Sequence, residues 1–200
     1  MKFGFIGSGR VAQAVAKYLV AAGHQVLMSN SRGPGSLSDI IHQLGPHSKA
    51  VEVQEAAKSD VVFLAIPWLK ISDTLKTLPH WGGRILVDAT NEFLDFNDLA
   101  LRADLKGRAS SEYVADLAPG ALVVKAINNL FSARFAEGPL VDNARRITFI
   151  SGDSAKAKAQ IGSLLESFGF AVIDLGSLHD GGRMQQASGP LAGLDLLQGN

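Results

Sequence analysis

The chain has 200 residues, 46% of them hydrophobic and 19% charged, which is length and apolar content enough to bury a core and argues against a disordered or fibrous protein. Nineteen basic residues balance nineteen acidic ones with no long run of either sign, so neither nucleic acid nor an anionic membrane is an expected partner. The absence of cysteine excludes disulfides, thiolate metal sites and thiol catalysis.

The first predicted strand begins at Lys2, leaving no room for a leader peptide, and no apolar run reaches bilayer-spanning length; the expected location is the cytoplasm. That strand, Lys2 to Ile6, runs directly into Gly7-Ser8-Gly9-Arg10-Val11-Ala12. Val11, Val15 and Leu19 then fall four apart, with Ala12, Ala16 and Ala22 beside them, and predict a helix that Gly23 ends. Strand, Gly-x-Gly-x-x-Ala turn and helix in this order form a dinucleotide-binding fingerprint. Gly7 supplies the tight turn and Gly9 lets the backbone approach a pyrophosphate, while Ala12 meets, less strictly than glycine, the need for a small residue where helix and strand pack. Backbone N–H groups between Ser8 and Ala12, with the positive end of the helix dipole, can hold phosphates without a basic side chain.

A second strand, Gln25 to Met28, delivers Ser29-Asn30-Ser31-Arg32 to its carboxyl end. An NAD enzyme usually carries an Asp or Glu there, about twenty residues past the glycines, to accept the adenosine ribose hydroxyls. No acid occurs between Met1 and Pro34. Arg32 can instead grip a 2′-phosphate bidentately, with Ser29, Asn30 or Ser31 donating further hydrogen bonds, which predicts NADP (NADPH) as the cofactor. The competing reading is a solvated turn, since Ser-Asn-Ser-Arg-Gly-Pro-Gly is also loop composition.

Further on, Ser36 to Leu44 predicts a short helix stopped by Gly45-Pro46, Ser48 to Val51 a brief strand, and Val53 to Ala57 a short helix. Asp60 to Ile66 is apolar on both faces, as in a central strand of a parallel sheet, and Pro67-Trp68 closes it ahead of a helix marked by Ile71, Leu75 and Leu78. Arg84 to Asp88 is the next strand, ending in Ala89-Thr90-Asn91. Asn91 to Gly107 has no clean period and predicts loop with a short helix. Ser110 to Leu117 reads as a helix capped by Ser110 or Ser111, and Ala121 to Ala126 as a strand ending in Ile127-Asn128-Asn129-Leu130. Asn128 and Asn129 either hold the nicotinamide carboxamide or the acceptor, or cap the following turn. Strand Arg146 to Ile150, turn Gly152-Asp153-Ser154, helix Ala155 to Phe168 and strand Phe170 to Leu175 follow, and the glycine-rich tail from Gly176 to Asn200 predicts loop with at most a short helix, ordered by substrate or a second subunit.

Strands alternating with helices at this spacing predict an α/β fold: a doubly wound parallel sheet of the Rossmann type in one domain, with a nucleotide-binding core over 1–130 and a strand-helix-strand extension over 140–200. Its ligand crevice then lies beyond the carboxyl ends of the strands, at Gly7 to Ala12, Ser29 to Arg32, Ala65-Ile66-Pro67-Trp68, Ala89 to Asn91 and Asn128. The histidines His24, His42, His47, His80 and His179 show no metal-ligand spacing, so no metal is expected. His24 reads as a turn residue, and His179 is the one histidine near a possible site. The chain ends too early for the helical substrate domain that follows this fingerprint in many dehydrogenases. The hydride acceptor must therefore lie against the nucleotide domain itself, beside Pro67, Trp68 and Asn91, completed by a second subunit of a homodimer.

Gly7 to Ala12, Asn30-Ser31-Arg32-Gly33, Ala65-Ile66-Pro67-Trp68, and Lys125-Ala126 with Asn128 together resemble NADPH-dependent reductases of the deazaflavin coenzyme F420, and Ser151-Gly152-Asp153 and the Gly169 to Gly176 stretch are similar as well. The resemblance implies hydride transfer between NADPH and a planar small-molecule redox acceptor, F420 first. It places Ser31 and Arg32 on the 2′-phosphate, Gly7 to Ala12 on the pyrophosphate, and Pro67 and Trp68 beside the nicotinamide and deazaflavin; Trp68 also reads as a residue packed on the sheet. Full-length members continue with an apolar helix lining the acceptor pocket, where this chain has Gly181 to Gln186 and Ser188 to Gly193. A flavin or a quinone stays open as acceptor, and a dinucleotide-binding redox sensor stays open as the non-enzymatic alternative.

Overall fold

The computed structural model describes residues 1–199; the last residue of the tail, Asn200, lies outside the described residues. Strands β1 (Lys2–Ile6), β2 (Gln25–Ser29), β3 (Ser48–Ala50), β4 (Val61–Leu64), β5 (Ile85–Asp88) and β6 (Leu122–Ala126) pair in parallel in the spatial order β3-β2-β1-β4-β5-β6. The order reverses between β1 and β4, the switch point at which such sheets open a crevice. Beyond β6 the sheet continues with the longer β8 (Ala144–Gly152), antiparallel to β6, and with β9 (Ala171–Asp174), parallel to β8. A two-residue β7 (Leu140–Val141) pairs with the start of β8.

All four residues of β4 and of β5 are buried, because helices cover both faces; that is why their sequences read as unbroken apolar runs. One face packs Phe3, Phe5, Phe63, Val87 and Val124 under helix α1 (Arg10–Ala21) and helix α7 (Ala155–Ser167). The rings of Phe5 and Phe63 stack with centroids 4.9 Å apart. The other face packs Val62, Leu64, Leu86 and Val123 under helix α4 (Ile71–Leu75) and helix α5 (Ser110–Leu117). Helix α1 ends as its glycine predicts: Gly23 takes φ +77°, and the N–H groups of Gly23 and His24 return to Val20 and Leu19. His24 leans on the Phe3 ring, centroids 5.1 Å apart, in the turn where the sequence places it.

Ser36 to Leu44 divides into a 3-10 turn, Pro34–Leu37, and helix α2 (Ser38–Leu44), and helix α3 (Val53–Ala56) follows β3. Three expectations are corrected. No helix forms between Asn91 and Gly107; the backbone N–H groups of Asn97, Ala100 and Lys106 are taken by the carboxylates of Asp95, Asp98 and Asp104 two residues earlier, and Phe93 bridges Arg102. Neither Ser110 nor Ser111 caps α5: Ala109 is the cap residue, its N–H accepted by Glu112, while both serine side chains point inward. The tail is ordered by its own chain. It forms helix α8 (Asp180–Gln185) and a two-residue strand β10 (Leu197–Gln198) on β8, and Asp195 meets the buried Arg146 guanidinium at 3.0 Å. Arg146 also reaches Glu137 at the end of helix α6 (Ser132–Glu137), so tail, α6 and β8 share one clamp. Among the described residues no helix is long and apolar enough to cross a membrane.

Candidate functional site

The parallel register lines up Ser29, Ile6, Leu64, Asp88 and Lys125 as a row across β2, β1, β4, β5 and β6. Each predicted loop leaves from that row, which is how segments a hundred residues apart in sequence come together.

At the centre, Gly7 has φ +108°, and a Cβ there would sit 2.1 Å from the Ala65 carbonyl oxygen. The β1–α1 turn and the end of β4 can touch only because this residue has no side chain. Gly9 differs: its φ of −73° suits any residue, and no atom lies within 4 Å of the position its Cβ would take. Packing within the chain does not require glycine there, so the clear space faces whatever approaches the helix. Gly9 is the cap residue of α1, no side chain caps the helix, and its first turn holds no acid, which leaves N–H groups of Arg10, Val11 and Ala12 directed outward. Ala12 is 1% exposed and packs against the sheet, as the fingerprint requires of that position.

At the end of β2 the four polar residues take different positions. Ser29 is fully buried and donates its hydroxyl to the Phe5 carbonyl oxygen at 2.6 Å, so it is not available to a ligand. Asn30 ties the two loops together: its Nδ2 donates to Ser8 Oγ at 3.3 Å and Ser36 Oγ at 3.0 Å, and its Oδ1 accepts the Arg32 N–H at 2.9 Å. Ser31 and Arg32 are exposed, and the Arg32 guanidinium meets no carboxylate among the described residues.

At the end of β4, Ala65 and Ile66 are half-buried and Pro67 is exposed at the rim. Trp68 follows the second of its two readings. It is 8% exposed, belongs to the core under α4 and α5, and lies against Tyr113 with ring centroids 5.1 Å apart. It packs on the sheet and does not border the crevice. Trp68→Ala should therefore cost about 3–5 kcal/mol of folding stability, read as a lower urea midpoint.

Past β5 and β6 a cleft of about 500 Å³ opens beside Arg10 and Val11 at the α1 start. Asn91 and Asn128 lie on its floor, and Asn128 Nδ2 donates to Asn91 Oδ1. Ile127 takes φ +59°, a left-handed conformation that is strained for a β-branched residue and turns Asn128 back towards Asn91. The Asn128 Oδ1 atom is buried and, among the described residues, finds no donor. Asn129 is structural: it is fully buried, its Nδ2 donates to the Ile147 carbonyl at 3.1 Å and its Oδ1 accepts the Phe149 N–H at 3.3 Å. The cleft walls are Phe93, Phe96, Leu99 and Phe131, with small tail residues Ala187, Ala192 and Gly193. Two arginines, Arg10 and Arg102, line it, and among the described residues no carboxylate does. The tail and the Phe93–Arg102 arm escape sequence reading because neither follows a periodic pattern. His179 does not line the cleft; its ring lies 3.4 Å from Glu112 on the α5 side.

Residues 2–92 match the profile of the family described as NADP oxidoreductase, coenzyme F420-dependent. The chain is 41% identical to a hypothetical protein of Sinorhizobium meliloti of known structure, with a TM-score of 0.91, covering 99% of this chain and 96% of that one. It is 27% identical to a candidate F420-dependent NADP-reductase of Arthrobacter sp. FB24, TM-score 0.69, covering 89% and 86% of the two chains. It is also 32% identical over 180 residues to metalloreductase STEAP3 of Rattus norvegicus, covering 88% of this chain but 34% of that protein; the chain spans about a third of the length of the curated relatives it matches.

Proposed function

We propose, from the match of residues 2–92 to the profile of the coenzyme F420-dependent NADP oxidoreductases, that the chain is a member of that family and passes a hydride between NADPH and a planar acceptor seated in the cleft beside Asn91 and Asn128, with F420 the first acceptor to test. The observation that carries the reading is the pairing of an uncapped, acid-free helix start, cleared by Gly9, with an acid-free β2 end that presents a free guanidinium at Arg32. N–H groups at Arg10 to Ala12 suit a pyrophosphate, and Arg32 with the Ser31 hydroxyl suits a 2′-phosphate. The buried Asn128 Oδ1 offers an acceptor to a carboxamide NH₂, which would give the nicotinamide ring an address on the cleft floor.

When bound, NADPH supplies the hydride. The chain's own part is to hold the ring and keep an apolar face open opposite it. The aromatic walls favour a flat acceptor, and Arg10 and Arg102, with no carboxylate lining the cleft among the described residues, favour one that carries negative charge. Anaerobic assays of NADPH oxidation against F420, FMN, a quinone and a ferric chelate test the proposal, the last because of the likeness to metalloreductases. Turnover with F420 or FMN supports it. Tight NADPH binding with no oxidation by any of the four would favour a redox-sensing module.

A second expected outcome belongs to the cleft. Ala192→Trp should fill it from the tail side, cutting turnover and weakening NADPH, whose nicotinamide end shares the cleft, while leaving the affinity for 2′,5′-ADP, the adenosine end alone, within about twofold, because Arg32 does not line the cleft. A titration and a steady-state assay on the same preparation separate the two effects.

A further inference from the structure

Beneath the floor of the cleft lies a fully buried ion pair that the hydride chemistry does not itself use. Asp88 ends β5 and Lys125 lies opposite it on β6; both side chains are 0% exposed, with Nζ 3.4 Å from Oδ2. Burying two charges is costly, and apolar residues of similar volume commonly hold a core equally well. The two strands are already joined by their own ladder, so cohesion does not account for the pair.

What the two charges do, and apolar residues could not, is grip Thr90 from both sides. Asp88 Oδ1 accepts the Thr90 N–H at 2.9 Å and the Thr90 hydroxyl at 2.6 Å, while Lys125 Nζ donates to the Thr90 carbonyl oxygen at 3.3 Å. The remaining valences are filled by Ser111, which donates to Asp88 Oδ2, and by Ser110 Oγ, 3.0 Å from Nζ. The peptide groups on either side of Thr90 are thus fixed by charge-assisted bonds in a buried site, and the next residue is Asn91. Asn91 Oδ1 in turn accepts from Asn128 Nδ2, so fixing the Thr90–Asn91 peptide fixes one partner of the Asn91–Asn128 contact.

We propose that Asp88 and Lys125 are positioning residues that hold the Asn91–Asn128 amides in register for the nicotinamide end of the cofactor. The inference rests on the NADPH reading above. Its signature is a split between the two ends of the cofactor: the adenosine end is held by the loops after β1 and β2, more than fifty residues before Asp88, and does not depend on Thr90.

The test is the double variant Asp88→Asn/Lys125→Met, which removes both charges together and leaves none unpaired in the interior. Affinities are measured by calorimetry for NADPH and for 2′,5′-ADP, which carries the adenosine end alone. The expected result is a NADPH affinity about tenfold weaker with 2′,5′-ADP within about twofold of the parent, and lower turnover at saturating NADPH. Thr90→Val, which removes only the hydroxyl bond to Asp88, should move NADPH affinity in the same direction by a few-fold and decides the question if the double variant melts below the assay temperature. Unchanged NADPH affinity in a folded variant, or equal losses for both ligands, overturns the proposal. A parent protein that binds neither ligand instead overturns the NADPH reading.

Discussion

Arg32→Ala is expected to weaken NADPH about tenfold and to leave NADH as it was. The guanidinium stands in solvent without a carboxylate partner, so removing it neither strands a buried charge nor opens a cavity. A charged hydrogen bond is worth roughly 1.5–3 kcal/mol where it is sheltered, and less at an exposed site screened by salt, so the lower end of the ten- to hundredfold range applies. The same screening gives a second readout: the preference for NADPH over NADH should shrink as salt is raised in the parent protein and stay flat in the variant. Arg32→Lys should fall between, because an ammonium keeps the charge and loses the planar fork. Equal losses for both nucleotides would mean that the loop shapes the glycine turn, through Asn30 and Ser8, and does not read the phosphate.

Where sequence and structure agree, the signal is local or is repeated on both faces of an element. The β4 run is legible because every residue in it is buried, and α1 because its stripe of Ala12, Val15, Ala16 and Leu19 is one continuous buried face. The glycine turn is legible for the same reason: strand, turn and helix are contiguous. Where they differ, the side chain answers to partners distant in sequence. Ser110 and Ser111 look like caps from their position before a helix, and only the fold brings Asp88 and Lys125 to them. Trp68 sits at a helix start near the crevice in sequence, but Tyr113 from α5 draws it into the other face of the sheet. Ser29 stands at the right place for a phosphate ligand, but burial inside the sheet turns its hydroxyl to the Phe5 carbonyl oxygen. The segment after Asn91 mixes leucines with aspartates, and each of Asp95, Asp98 and Asp104 satisfies a backbone N–H that a helix would have needed. The strands β7 and β10 are two residues each and exist only because β8 is there to pair with them.

The two glycines of the turn should separate fold from ligand. Gly7→Ala puts a Cβ 2.1 Å from the Ala65 carbonyl oxygen in a backbone conformation, φ +108°, that side chains rarely adopt. Neither atom can give way easily, since one belongs to the end of β4 and the other to the turn that feeds α1. The expected cost is more than about 3 kcal/mol, the sum of backbone strain and overpacking, and the variant should melt well below the parent. Gly9→Ala has no such obstacle. Its φ of −73° is ordinary and nothing lies within 4 Å of the new methyl, so stability should hold or rise by a few tenths of a kcal/mol through the stiffer unfolded chain. Yet that methyl occupies the approach to the helix N–H groups, and NADPH and NADH should both bind at least about tenfold more weakly, since the pyrophosphate is common to them. Thermal melts and titrations on the two variants give opposite patterns: one protein that unfolds, and one that folds and no longer holds the nucleotide. A Gly9→Ala protein that bound both nucleotides at parental affinity would place the diphosphate somewhere other than the start of α1, and the assignment of Arg32 would fall with it.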